Sequence, residues 1–192
     1  MAQRLPEIVG LIGFILWAVV ERGFSLLNQQ QSGGEQRDRW SYILISLCWY
    51  GAVFFSLLDA WSQGWTLMDS SLRALQWAGC GLTLAGIVIR FVARRELGRQ
   101  YSVQVETSQA HRLVTSGIYR TLRHPAYLGL VCLLVGIPLC EGSLGGLLIA
   151  LLGGIPAVMR RIQVEERALT AWFGRLYEEY RQTTKRLIPY VW

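Results

Sequence analysis

Two stretches of this chain, Trp40–Ala60 and Leu72–Ala93, are apolar around the whole helical circumference. Each is about the 20 residues that cross a bilayer. A helix in a soluble bundle shows an apolar stripe and a polar back. Neither stretch has such a back, which argues against a soluble helical bundle with a greasy core. Three further apolar segments accompany them. One begins at Pro6 and extends toward Leu27, and two share the stretch Tyr127–Val158, interrupted around Pro138-Leu139-Cys140-Glu141-Gly142-Ser143. The expected spans are 6–27, 40–60, 72–93, 127–140 and 143–160. The last two are short for a crossing, so a tight hairpin is expected there. Composition agrees: 52% of the 192 residues are hydrophobic and 17% charged, against about a quarter charged in soluble domains. Eight Trp and eight Tyr supply the aromatics that collect at membrane interfaces. The weakly basic start at Arg4 and the Ala18-Val19-Val20 stretch do not read as a removable signal peptide.

Charge placement orients the bundle. With the N-terminus outside, only Arg4 and Arg73 of the 19 Lys and Arg fall on the outer side. Cytoplasmic loops carry such an excess. The net charge of +6 therefore reads as topology and lipid contact. No basic groove interleaved with aromatics points to nucleic acid. The expected placement is an integral, multi-pass membrane protein with a cytosolic C-terminus.

Cys48, Cys80, Cys132 and Cys140 all fall in apolar segments, with no C-x-x-C pair and no Cys/His spacing suited to a metal. They read as packing residues. Gly79, Gly81 and Gly86 mark the third segment, where Gly81 and Ala85 make a small-x-x-x-small step. Gly142, Gly145, Gly146, Gly153 and Gly154 mark the fifth. Small residues let membrane helices approach closely, so these glycines read as helix seams. Beyond Val158 the sequence becomes amphipathic, with Ile162, Leu169, Trp172, Phe173, Leu176 and Tyr180 at helical spacing up to Glu178-Glu179-Tyr180. Arg161 and Glu165, four apart, share one face of that helix.

The polar residues concentrate between the third and fourth segments. His111 to Tyr127 reads H-R-L-V-T-S-G-I-Y-R-T-L-R-H-P-A-Y and contains both histidines of the chain. Together with L-G-R-Q-Y-S before it and R-I-Q-V-E-E-R-A-L-T-A-W-F-G-R-L-Y-E-E-Y after the last span, it resembles the isoprenylcysteine carboxyl methyltransferase family. These are integral-membrane methyltransferases related to phospholipid methyltransferases. The resemblance covers Leu97 to Pro189, while the earlier spans agree only in number and apolar character. It implies S-adenosylmethionine as methyl donor, bound on the cytosolic side, and a lipophilic or prenylated-cysteine acceptor entering from the bilayer. The expected fold class is then all-α: one membrane domain over 1–192, five transmembrane helices, and a cofactor pocket built from 97–127 and 161–189.

The residues suit that chemistry. A donor bearing a carboxylate, an ammonium and a sulfonium needs both charge signs in its pocket. Arg123 and His124 are placed to take the carboxylate, since arginine forks onto carboxylates. Glu165 and Glu166 are placed to take the ammonium or ribose hydroxyls. Tyr119 and Tyr127 offer aromatic faces to adenine or sulfonium. Pro125 biases His124 away from helix, Gly117 permits close approach or positive φ, and Leu113 and Val114 offer backbone groups to adenine. His111 completes the expected cofactor set. Taken singly, each has a plainer use as a lipid contact, a turn residue or an interface anchor. A carboxylate acceptor needs no general base, so catalysis rests on positioning and exclusion of water. Arg161, with Glu165 one turn on, is the expected catalytic pair, the arginine orienting the acceptor carboxylate. No metal is expected. An amine or thiol acceptor such as a phospholipid, a membrane reductase using a reduced nicotinamide, and a non-enzymatic scaffold are the alternatives, and the oligomeric state is left open.

Overall fold

The structure is a computed structural model that describes residues 5–28, 39–62, 72–98 and 113–188. Seven α-helices order the described chain: α1 Leu5–Asn28, α2 Arg39–Ser62, α3 Arg73–Leu97, α4 Pro125–Glu141, α5 Leu144–Ile149, α6 Ile155–Phe173 and α7 Arg175–Thr183. A 3-10 turn, Gly117–Arg120, precedes α4. Among the described residues there is no strand, only an isolated bridge between Leu122 and Lys185.

Three helical segments are long and apolar enough to cross a membrane by length and composition: Ile43–Ser62, Arg73–Leu97 and Leu144–Phe173. Helix α4 is apolar but only 17 residues long, and α1 carries Glu7, Glu21 and Arg22 along its length.

The last of the three departs from the sequence reading. A short span followed by a separate amphipathic helix was the expectation. Instead α5 and α6 form one rod, joined by a π segment at Ala150–Gly154. Pro156 explains the joint. It has no N–H to give the carbonyl of Leu152 four residues back, and its ring crowds that turn, so the helix widens before it. The rod then carries the amphipathic sequence straight out of the apolar region. It ends one helical run short of Tyr180, because Gly174 takes φ 53°, a conformation that favours glycine, and α7 starts anew.

Helices α3 and α4 pack backbone to backbone. A Cβ on Gly86 would lie 2.8 Å from the carbonyl oxygen of Gly129, and one on Gly129 the same distance from that of Gly86. Further along, a Cβ on Gly136 would meet the Thr83 nitrogen at 2.7 Å. The seam thus runs Gly79, Thr83, Gly86 against Gly136 and Gly129. The expected Gly81–Ala85 step is not part of it: both residues are exposed and nothing stands within 4 Å of a Cβ at Gly81. The fifth-segment glycines do form a seam, with Gly145, Gly146 and Gly153 against Phe55, Ser56 and Cys48 of α2. Between the helices lies a core of Trp17, Trp49, Leu130, Leu133, Leu134, Ile137, Val158 and Ile162. The rings of Trp17 and Trp49 tilt together at 4.4 Å.

Helix α4 is set at both ends by local chemistry. Pro125 occupies its first turn, where a missing N–H costs nothing. Gly142 closes it at φ 69°. Ser143 then caps α5 by accepting from the Gly146 N–H at 3.1 Å and donates to Asp59 of α2 at 2.8 Å.

Candidate active site

The start of α4 and the C-terminal half of the rod face each other, and polar residues fill the space between them. Tyr127 donates its hydroxyl to Glu165 Oε2 at 2.6 Å. Arg161 Nε donates to the same hydroxyl at 3.3 Å. Arg161 and Glu165, expected to pair across one helical turn, therefore meet at a tyrosine from another helix. Arg161 is only 2% exposed. His124 lies beside them, its Nδ1 3.9 Å from Glu165 Oε1 and its ring 5.8 Å from that of Tyr127.

The adjacent glutamates have separate surroundings. Glu166 is buried and gathers two guanidiniums and an imidazole: Arg123 Nε at 3.1 Å, Arg186 Nη2 at 2.8 Å and His124 Nε2 at 3.4 Å. The Glu165 side chain is 31% exposed, against 7% for Glu166. Burying a carboxylate costs several kcal/mol or more unless cations and hydrogen bonds compensate, and Glu166 has that compensation. Glu165 has capacity left for a ligand.

Arg123 does not present a free fork to a carboxylate. Its guanidinium binds Glu166 and donates through Nη1 to the carbonyls of Arg181 at 2.9 Å and Thr184 at 2.5 Å. The main chain repeats the connection. The Arg123 N–H donates to Lys185 O at 2.8 Å, His124 N–H to Arg186 O at 3.1 Å and Lys185 N–H to Thr121 O at 3.0 Å. The His-Pro turn is thus sewn to the segment after α7. Tyr180 adds a side-chain stitch, donating to Tyr119 O at 2.6 Å. Burial pushes the Tyr180 hydroxyl up to about 12 despite the nearby Arg123, which keeps it a donor. Burial, with Glu166 and Glu165 nearby, likewise raises Tyr177.

The other flank of α4 is tied to α1 and α3. Arg90 forks onto Glu21 at 2.9 and 3.0 Å and donates to Ala126 O at 2.8 Å. Arg94, fully buried, also pairs with Glu21.

Of the residues singled out in the sequence, Arg123, His124, Pro125, Tyr127, Arg161, Glu165 and Glu166 come together. Tyr119 is buried behind the turn. Gly117 takes φ 57° over the carboxylate of Glu96, which accepts from the Ile118 N–H at 2.7 Å, so its freedom serves that contact. Leu113 and Val114 are half-buried at the edge of the described loop. His111 lies outside the described residues. Arg186, Thr184, Glu21, Arg90 and Arg94 were missed as partners. The arginines had been read only as charges at the membrane face, and no local spacing reveals contacts this distant in sequence.

Comparison with known proteins shows the family. A family model described as phospholipid methyltransferase matches residues 74–176, which hold Arg123, His124, Tyr127, Arg161, Glu165 and Glu166 but neither Glu21 nor the segment after α7. The chain is 30% identical over 156 residues to a probable protein-S-isoprenylcysteine O-methyltransferase of Oryza sativa subsp. indica, covering 78% of this chain and 80% of that protein. The chain belongs to the isoprenylcysteine carboxyl methyltransferase family. Protein-S-isoprenylcysteine O-methyltransferase B of Arabidopsis thaliana is 30% identical over 169 residues, 82% of each protein. Among solved structures, that of a eukaryotic intramembrane Ras methyltransferase, itself an isoprenylcysteine carboxyl methyltransferase, aligns with a TM-score of 0.60 and 27% identity. The alignment takes in 73% of this chain and 51% of that one, so the chain spans about half of that enzyme's length. As a member of the isoprenylcysteine carboxyl methyltransferase family, the protein is a membrane methyltransferase.

Proposed function

We propose that this methyltransferase esterifies the carboxylate of a lipophilic, isoprenylcysteine-like acceptor that enters from the bilayer, with S-adenosylmethionine as donor. The observation that carries the reading is Arg161: a buried guanidinium on the apolar rod, held by Tyr127 beside a half-open Glu165. A cation there suits an acid acceptor. S-adenosylmethionine, when bound, supplies a methyl group on a sulfonium, and the residues of the cluster suit its mixed charges.

Each side chain has a definite task in this reading. Glu165 receives the donor's ammonium or ribose hydroxyls. His124, fixed between the two glutamates, gives a polar edge to the same pocket, and Tyr127 an aromatic face. Arg161 orients the acceptor carboxylate, whose oxygen is already nucleophilic near neutral pH, so no residue has to remove a proton. Arg123, Glu166 and Arg186 hold the His-Pro turn against the rod. Rigid positioning of this kind contributes several kcal/mol to a two-substrate reaction, and the apolar walls exclude water. The bundle crosses the membrane five times, with the N-terminus outside and this site on the cytosolic side.

Methylation of a phospholipid amine is the second reading, favoured by the half-open carboxylate of Glu165. Purified protein given labelled S-adenosylmethionine separates the two. With an amine-blocked S-farnesylcysteine we expect a product that releases methanol in base, the mark of a methyl ester. A base-stable product on phosphatidylethanolamine, with none on the farnesylcysteine, would overturn carboxyl methylation.

A further inference from the structure

The sulfurs of Cys80 on α3 and Cys140 on α4 stand 3.1 Å apart, both as free thiols. Sixty residues of sequence separate them. Cys140 is fully buried and Cys80 nearly so. The glycine seam creates this proximity: a Cβ on Gly79, next to Cys80, would lie 2.8 Å from the Cys140 nitrogen and 2.5 Å from the Leu139 Cβ. With the main chains already in contact, a disulfide needs the sulfurs to close to about 2.05 Å, roughly an ångström of travel. Nearby polar groups are Thr83 Oγ1, 3.8 Å from Cys140 Sγ, Pro6 O, 3.9 Å from Cys80 Sγ, and the buried carboxyl of the adjacent Glu141. The pair lies at the end of α4 opposite His124, about 24 Å away at 1.5 Å per residue.

We propose that Cys80 and Cys140 form an oxidisable dithiol that closes to a disulfide between α3 and α4 when a small apolar disulfide reaches the seam. Cys80, the less buried of the two, loses its proton and attacks one sulfur of the reagent, whose own S–S bond breaks to release one thiol. Cys140 then gives up its proton and attacks the Cys80 sulfur of the mixed disulfide, releasing the second thiol. In total the two cysteines lose two protons and two electrons, and the small disulfide is reduced to two thiols. The new bond would pin the seam at the end remote from the methyltransferase site.

The test uses the whole protein in detergent with 2,2′-dipyridyl disulfide, whose rings suit an apolar crevice. After reaction the protein is denatured in an alkylating agent, digested without reductant and mapped by mass spectrometry. We expect one peptide pair joined through Cys80 and Cys140, its mass lower by two hydrogens than the sum of the free peptides and separable by reductant. The thermal midpoint should rise on oxidation and fall back on reduction. Cys80→Ser should abolish the linked pair and leave Cys140 alkylated or carrying a single pyridyl adduct. Recovery of the two wild-type peptides separately, whether alkylated or each carrying an adduct, would overturn the proposal.

Discussion

Tyr127 gives its hydroxyl hydrogen to Glu165 at 2.6 Å, joining the first turn of α4 to the C-terminal half of the Leu144–Phe173 rod. The same hydroxyl accepts from Arg161, so one atom sets the position of a cation and an anion together. Tyr127→Phe keeps the ring and removes that atom. A hydrogen bond to a charged group contributes about 1.5–3 kcal/mol, so kcat/KM should fall roughly tenfold to a hundredfold. Steady-state kinetics measures this, and an unchanged kcat/KM would mean that Arg161 and Glu165 hold their places without the tyrosine.

Arg161 distinguishes acceptor from donor. Arg161→Ala should abolish turnover while leaving S-adenosylhomocysteine affinity intact. Arg161→Lys should recover only part of the activity, because a point charge does not reproduce a bidentate fork. Calorimetric titration of the inactive variant checks the assignment: lost binding would place Arg161 in the donor pocket.

The neighbouring glutamates should separate by phenotype. Glu165→Ala should weaken S-adenosylhomocysteine more than about tenfold with little change in melting temperature, and His124→Ala should weaken it too. Glu166→Ala strands two guanidiniums, of Arg123 and Arg186, beside the buried His124 ring and should destabilise the protein by about 3–5 kcal/mol. Thermal unfolding in detergent, run beside the titration, reads both. Equal melting losses in the two variants would contradict this division of labour.

The helix seam gives a pair of matched substitutions. Gly86→Leu drives a side chain into the Gly129 carbonyl and should cost more than the 1–3 kcal/mol typical of overpacking. Gly81→Leu, with open space around it, should change stability by less than about 0.5 kcal/mol. Melting temperatures of the two variants test the placement of the seam.

For topology, reporter fusions at the two termini should appear on opposite sides of the membrane. Finding both on one side would remove the five-span arrangement.

These experiments bear on a structure only partly legible in the sequence. The apolar segments located the first four helices, because burial in lipid demands long unbroken runs, but not the continuous rod Leu144–Phe173, whose polar outer half reads as a separate helix. The His-Pro turn and the paired glutamates were visible because their polar character stands out against apolar surroundings. Which glutamate is committed to structure was not visible. That depends on Arg186, whose contact with Glu166 follows from the turn at Gly174 and the path of the chain after α7. The true seam was also hidden: Gly81–Ala85 and Gly79–Gly86 look alike as small-residue patterns, and only the matching glycines of α4 tell them apart. Glu21 with Arg90 and Arg94 needed the packing of α1 against α3, which no local period encodes.

The pairing of Thr121–His124 with Lys185 and Arg186 also fixes an order of events during synthesis. Thr184 follows Arg123 by sixty-one residues, so at about 5–20 residues per second the His-Pro turn waits some 3 to 12 seconds for its partner to be made. Through that interval Glu166 has no Arg186 to meet. The cluster around Glu166 is therefore completed only after α7 has been made, however early the His-Pro turn and the rod take shape.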